Sequence, residues 1–166
     1  MKIALLIILT LVLLISGCGG EPESSVAQVG ELAPGFQLQD LDGQSVVLGN
    51  FRDKPLLLNF WATWCPPCRS EMPYIQQVYD EWPDKGLVVL AINVGESSAK
   101  VKEFMQSYGL SFPVLLDTTE EVARIYNIGG IPTTFFIDGD GIIQAKIIGA
   151  FPSKAAIEKN LSTIIS

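Results

Sequence analysis

The sequence predicts an α/β fold, a mixed central sheet flanked by helices on both faces and preceded by a β-hairpin. Three observations predict it. Two short continuous apolar runs, Leu56–Trp61 and Leu87–Val94, have the length and composition of strands buried on both faces. Segments of helical pattern alternate with these runs. The chain then closes with two strand-like stretches, Thr133–Ile137 and Ile142–Ile148, joined by the turn Asp138-Gly139-Asp140-Gly141. Strands alternating with helices and then a hairpin make a mixed sheet with two covered faces.

The elements follow in order. Phe36–Val47 alternates loosely around Asp42-Gly43, a hairpin turn signal. Leu56–Trp61 is the first central strand. Pro66–Trp82 reads as a helix, with Pro73 removing one internal hydrogen bond and predicting a kink. Leu87–Val94 is the second central strand. Ser98–Tyr108 is a helix, because Val101, Phe104, Met105 and Tyr108 form one apolar stripe of plain core packing. Phe112–Leu116 is a short strand. Thr118 and Glu121 have capping-box spacing before a short helix that ends near Tyr126. Ser153–Ile164 is the last helix, with Ser153 as its N-cap.

The chain of 166 residues suits one domain with a real core. A net charge of −7 offers no electrostatic footprint for nucleic acid. The start reads as a targeting segment. Lys2 precedes Ile3–Ile15, an uncharged apolar run. Those roughly 13 residues would span about 20 Å as a helix, short of a hydrocarbon core of about 30 Å. That suits a signal peptide better than a membrane span. Ile15-Ser16-Gly17-Cys18 then resembles the lipobox of bacterial lipoproteins, which implies lipid attachment at Cys18. The alternative is an uncleaved N-terminal anchor reaching Gly20. Either reading places the protein outside the cytoplasm, on a membrane of a bacterium. Residues 1–17 are thus expected to be a lipoprotein signal peptide, 18–31 a flexible tether of small and polar residues, and 32–166 the folded domain.

The chemistry centres on Trp61-Ala62-Thr63-Trp64-Cys65-Pro66-Pro67-Cys68. Two thiols stand where a buried strand ends and a helix begins. With Cys18 lipidated, they are the two thiols left of three cysteines. A disulfide across so small a loop stabilises little by chain entropy, so the pair reads as catalytic. Zinc needs about four ligands; the chain has no histidine and no second cysteine pair, so no metal or other cofactor is expected. At the helix start, unpaired N–H groups and the macrodipole favour a thiolate at Cys65. Cys65 at the tip is expected to be the more exposed thiol, and Cys68 the shielded one. The chemistry that follows is thiol–disulfide exchange, in which Cys65 attacks and Cys68 resolves the mixed disulfide.

Phe60-Trp61-Ala62-Thr63-Trp64-Cys65-Pro66-Pro67-Cys68, with Pro73 following, resembles the thioredoxin superfamily. More narrowly, Asn59 through Pro73 is similar to its TlpA/ResA-like (redoxin) branch of membrane-tethered thiol-disulfide oxidoreductases. The resemblance runs from about Leu32 to the C-terminus. It implies a thioredoxin fold carrying the N-terminal hairpin that this branch adds. It also implies protein disulfide substrates, with apocytochrome c foremost, and a membrane thiol-disulfide protein as electron donor. Thioredoxin has a buried Asp where this chain has Asn59, an amide that cannot titrate; the branch has a Glu where this chain has Glu71. Glu71 is three residues past Cys68, so the two can share a helix face. A partly buried carboxylate there would have a raised pKa and could exchange a proton with Cys68. Pro132, after Gly129-Gly130-Ile131, matches the cis-proline loop. By the resemblance, Ile131 offers its backbone to substrate and Pro132 shapes the contact surface, with Trp64, Pro66 and Pro67 adding area beside Cys65. Phe60 and Trp61 read as core.

Other classes fit less well. A peroxidase of the peroxiredoxin type would place Thr three residues before its cysteine, but Thr63 lies two before Cys65. A copper chaperone of the related type needs a wider cysteine spacing and a histidine. A general envelope disulfide reductase, or a binding module with an incidental dithiol, stays open.

Overall fold

A computed structural model describes residues 26–165. The expected signal peptide, the lipid site Cys18 and most of the expected tether lie outside the described residues. Among the described residues no helix is long and apolar enough to cross a membrane.

The domain is a seven-stranded mixed sheet. In chain order its strands are β1 (Gln37–Asp40), β2 (Ser45–Val47), β3 (Leu56–Trp61), β4 (Val88–Val94), β5 (Val114–Asp117), β6 (Thr133–Ile137) and β7 (Ile143–Ile148). Four helices connect or follow them: α1 (Pro66–Glu81), α2 (Ser98–Tyr108), α3 (Glu121–Ile125) and α4 (Lys154–Leu161). The spatial order is β2-β1-β5-β4-β3-β6-β7. β3, β4 and β5 run parallel, while β1–β2, β1–β5, β3–β6 and β6–β7 are antiparallel.

β3 sits at the centre, and every one of its residues is buried. Its side chains alternate between two apolar layers, as the period of a strand requires. Leu57 and Trp61 face a layer built with Met72, Ile75 and Val78 of α1, Phe104 of α2 and Ile157 and Leu161 of α4. Leu56, Leu58 and Phe60 face the other, with Phe36, Val122 and Ala123 of α3, and Tyr126. Burial on both faces explains why β3 reads as an unbroken apolar run. The one polar side chain within it, Asn59, is fully buried.

α1 contains Pro73 and ends at Glu81, within one residue of the expected Trp82. Two details differ from the sequence reading. α3 is not capped by Thr118. Its N-cap is Glu120, at φ 59° and without a side-chain bond, and the Asp117 carboxylate instead accepts the Ala123 N–H at 2.8 Å. A buried Asp at the end of β5 therefore supplies what the capping box promised. Finally, residues 27–31, expected in the tether, are held in the fold. Ala27 is buried and donates to the Ile125 carbonyl at 3.2 Å. Gly30 donates to Ile143 at 2.8 Å, Ile143 donates back to Glu31 at 3.0 Å, and Leu32 bridges Ile142. This stretch lies along the outer edge of β7, and its small, polar composition hid that pairing.

Candidate active site

β3 delivers the chain to one end of the sheet, and Ala62-Thr63-Trp64 turns it into α1. Cys65 is the N-cap, in extended conformation at φ −86° and ψ 107°, and its sulfur accepts the Cys68 N–H at 3.2 Å. Pro66 and Pro67 occupy the first helical positions, where a missing N–H costs no internal bond. Cys65 and Cys68 are joined as a disulfide with Cα atoms 5.3 Å apart. Cys65 is the more accessible of the two, as expected, but in this oxidised state only slightly so: it is 3% exposed and Cys68 fully buried, whereas the neighbouring Trp64 is 63% exposed. The turn folds Cys65 inward beneath the Ile131 carbonyl, whose oxygen lies 3.6 Å from its sulfur.

Ile131 belongs to the loop ahead of β6, and the Ile131–Pro132 peptide is cis. The Thr133 hydroxyl donates to the Gly130 carbonyl at 2.7 Å, and the Gly149 N–H donates to Pro132 at 2.8 Å. These bonds pin the loop against Cys65. Pro132 is buried and Ile131 half-buried, while Pro66, Pro67 and Trp64 are exposed around the disulfide. A groove bounded by Trp64, Gly129, Gly130 and Ile131 opens beside them. A second, more apolar cavity, lined by Leu48, Phe51, Leu56 and Ile137, lies at the opposite end of β3.

Behind the disulfide, one helical turn past Cys68, Glu71 is fully buried. Its carboxylate accepts from Asn59 Nδ2 at 2.9 Å and from the Phe151 N–H at 2.9 Å. Burial raises its pKa, and those two donors only partly offset the effect, leaving it at about 7. A carboxyl poised there can hold or release a proton at physiological pH.

A second buried carboxylate fixes the approach to Cys65. Glu96, in the loop after β4, accepts from the Thr63 N–H at 2.7 Å, the Thr63 hydroxyl at 2.7 Å, Asn93 at 2.8 Å and Lys100 at 2.7 Å. Burial alone would raise its pKa, but the Lys100, Asn93 and Thr63 bonds together outweigh it and hold Glu96 down to about 2. Glu96 is therefore ionised throughout the physiological range. The Thr63 hydroxyl is committed to it and not to Cys65, which removes the threonine that a peroxidatic site would use.

The structure thus brings Cys65, Cys68, Glu71, Trp64, Pro66, Pro67, Ile131 and Pro132 to one end of the sheet. Glu96, Asn93, Thr134 and the Phe151 backbone join them without a signal in the cysteine motif. One signal for Glu96 was available. β3 and β4 are parallel, so the loops after their C-terminal ends must lie side by side. Among the described residues, no group of three or more His, Cys, Asp or Glu is placed to hold a metal.

In the reduced protein a Cys65 thiolate would find the Cys68 N–H but no donor on Pro66 or Pro67. The expected Cys65 pKa is therefore no lower than about 7, the value of an ordinary thioredoxin nucleophile. Titrating thiolate absorbance checks this, and a value of about 4, as in strongly oxidising relatives of the fold, would refute it.

Comparison with known proteins agrees with this geometry. The AhpC/TSA family profile matches residues 29–146. The chain is 42% identical over 142 residues to "Thiol-disulfide oxidoreductase ResA" of Geobacillus kaustophilus, covering 86% of this chain and 81% of that one. It is 42% identical over 120 residues to the protein of the same name from Bacillus subtilis, covering 72% and 67%. The crystal structure of a thiol:disulfide interchange protein of the thioredoxin family, from Chlorobium tepidum, superposes with a TM-score of 0.74 at 34% identity. It covers 85% of this chain and all of that one.

Proposed function

The chain belongs to the AhpC/TSA family and is a thiol-disulfide oxidoreductase of the thioredoxin fold, and we propose that it reduces protein disulfides outside the cytoplasm. Anchoring by lipid on Cys18 is part of the proposal, and the cysteines of apocytochrome c are its favoured target. The observation that carries it is the Cys65–Cys68 pair at a helix N-terminus with a buried carboxyl, Glu71, one turn behind.

The cycle starts from the dithiol. The Cys65 thiolate attacks one sulfur of the substrate disulfide. That S–S bond breaks, a mixed disulfide forms, and the departing substrate sulfur takes a proton. Glu71 then accepts the Cys68 proton, because an ionised carboxylate with a pKa near neutrality is a competent base. The Cys68 thiolate attacks Cys65, the Cys65–Cys68 disulfide closes, and the second substrate sulfur leaves as thiolate. Two electrons have passed to the substrate. A dithiol protein of the membrane would supply two new electrons by exchange with the Cys65–Cys68 disulfide, becoming a disulfide itself. Extended substrate would lie along Ile131, whose carbonyl stands beside the attacking sulfur, with Trp64, Pro66, Pro67 and Pro132 as its apolar surroundings.

A Cys68→Ser variant expressed in the native host should accumulate mixed disulfides through Cys65. Capture of cytochrome maturation components supports the favoured target. Capture of a broad set of envelope proteins would replace it with general envelope disulfide reduction, and no capture would overturn both.

A further inference from the structure

Asn59 is the one polar side chain of β3, and every feature of its setting turns on Glu71. One amide hydrogen goes to Glu71 Oε1 at 2.9 Å and the other to Thr134 Oγ1 at 2.9 Å. Its own oxygen, Oδ1, is buried and has no partner among the described residues. An orphaned buried acceptor destabilises the fold. The amide tolerates that cost in order to aim both donors, and an ionised carboxylate can only accept. The orientation therefore belongs to the charged form of Glu71. If the Glu71 proton sat on Oε1 facing Asn59, it would meet an N–H head-on.

We propose that Asn59 is a positioning residue of the exchange reaction: by hydrogen-bonding the ionised carboxylate of Glu71, it decides how readily that group releases its proton. Asn59 touches neither cysteine in this role and acts through Glu71. The inference rests on the proposed role of Glu71 as the proton partner of Cys68. It gives a physical sense to an amide at this central position. Burial pushes the Glu71 proton affinity up, and the Phe151 N–H together with the amide draws it part of the way back. The Thr134 bond ties the same amide to β6, the strand that carries the Pro132 loop.

Among the described residues no cation forms an ion pair with Glu71. On α1, Glu81 bonds Lys154, and on α4 Lys154 also pairs with Glu158. Arg69 bonds the Tyr108 hydroxyl, and Lys146 of β7 donates to the Asn127 carbonyl. Cys65 and Cys68, at the start of the same helix, are joined as a disulfide and do not titrate.

The oxidised protein therefore permits a clean test. Carboxyl-labelled glutamate NMR follows Glu71 through its titration in wild type, Asn59→Ala, Asn59→Asp and Thr134→Val. Loss of one charge-directed hydrogen bond in Asn59→Ala should raise the midpoint by about one unit. Asn59→Asp, nearly the same size, should raise it further, because two facing carboxyls share one proton. Thr134→Val, which leaves the Asn59–Glu71 bond in place, should move it by less than about 0.3 unit. An unmoved midpoint in Asn59→Asp overturns the proposal, and this variant decides the matter if Asn59→Ala does not fold. The pH profile of insulin reduction by the reduced variants supplies the second reading. A profile that moves with the midpoint supports both assignments. A moved midpoint with an unmoved profile shows that Asn59 sets the proton affinity of Glu71 but overturns Glu71 as proton partner, and with it the part of Asn59 in the exchange reaction.

Discussion

Replacing Cys65 by serine is expected to lower the rate of insulin reduction by at least about 1000-fold. The reason is the identity of the nucleophile. A thiol with a pKa of about 7 is substantially thiolate at neutral pH, whereas a serine hydroxyl is not ionised there. No histidine exists anywhere in the chain to activate it, and the donor beside the sulfur, the Cys68 N–H, stabilises an anion without removing a proton. Cys68→Ser behaves differently. It still attacks once, so one equivalent of substrate thiol should be released per protein before turnover stalls at the mixed disulfide. Turbidity of precipitating insulin chains measures the first effect, and a thiol reagent under single-turnover conditions measures the second. Retention of more than about one tenth of wild-type activity in Cys65→Ser would exclude the nucleophilic role, whereas no activity in the wild type would favour a binding module with an incidental dithiol.

Glu71→Gln is expected to flatten the dependence of folding stability on pH. Glu71 has a pKa of about 7 in the folded protein against an ordinary value of 4.5. A raised carboxyl means that the folded state binds the proton more tightly than the unfolded state. Its folded form is thus best stabilised below pH 4.5, and that stabilisation is lost as the pH rises from 4.5 through 7. The difference of about 2.5 units corresponds to about 3 kcal/mol. Glutamine carries no charge at any pH. Its carbonyl can keep the Phe151 N–H, and its amide can donate to the orphaned Asn59 Oδ1 once the Asn59 amide turns. Above pH 7 the variant should therefore be the more stable protein and the slower reductase. Urea midpoints of oxidised wild type and variant between pH 4 and 8 test this; parallel curves would show that Glu71 titrates normally. Glu96 has the opposite sign, for its depressed pKa adds stability that disappears only as pH falls from 4.5 toward 2. The two carboxylates squeeze stability from both sides, and Glu71→Gln should remove only the alkaline limb.

These two predictions begin from residues that the sequence identified for different reasons. Cys65 and Cys68 were legible because a buried strand, a tight turn and a helix start are all local patterns. Glu71 was legible through the family resemblance, with its three-residue spacing from Cys68 compatible with a shared face of α1. Asn59 was visible as the polar exception in an apolar strand, but its partners were not. Thr134 lies 75 positions away and Phe151 lies 80 from Glu71, and no local rule predicts which strand neighbours which. Glu96 was missed for the same reason, since its grip on Thr63 exists only once β4 lies beside β3. Thr118 failed as a cap because capping-box spacing is a weak local preference, and the buried Asp117 carboxylate reaches the first turn of α3 more directly. The wide reach of residues 27–31 escaped notice because their bonds to β7 use backbone groups, which carry no signature in side-chain composition.

That last pairing bears on how copies of the protein coexist at high concentration. An open sheet edge is a template onto which another chain can add a strand, the first step of edge-to-edge aggregation. Residues 30–33 occupy both backbone groups of Ile143 and the C=O of Gly141, so the start of β7 is sealed by the chain itself. Farther along, Lys146 turns its ammonium back onto the Asn127 carbonyl and the Phe135 ring, a charge that any incoming strand would have to displace. The stretch leading into the domain is therefore more than a leash. Trimming it to residue 34 would leave the catalytic end of the sheet intact while unsealing its flank, and the shortened protein would gain a route to polymerisation that the full chain lacks.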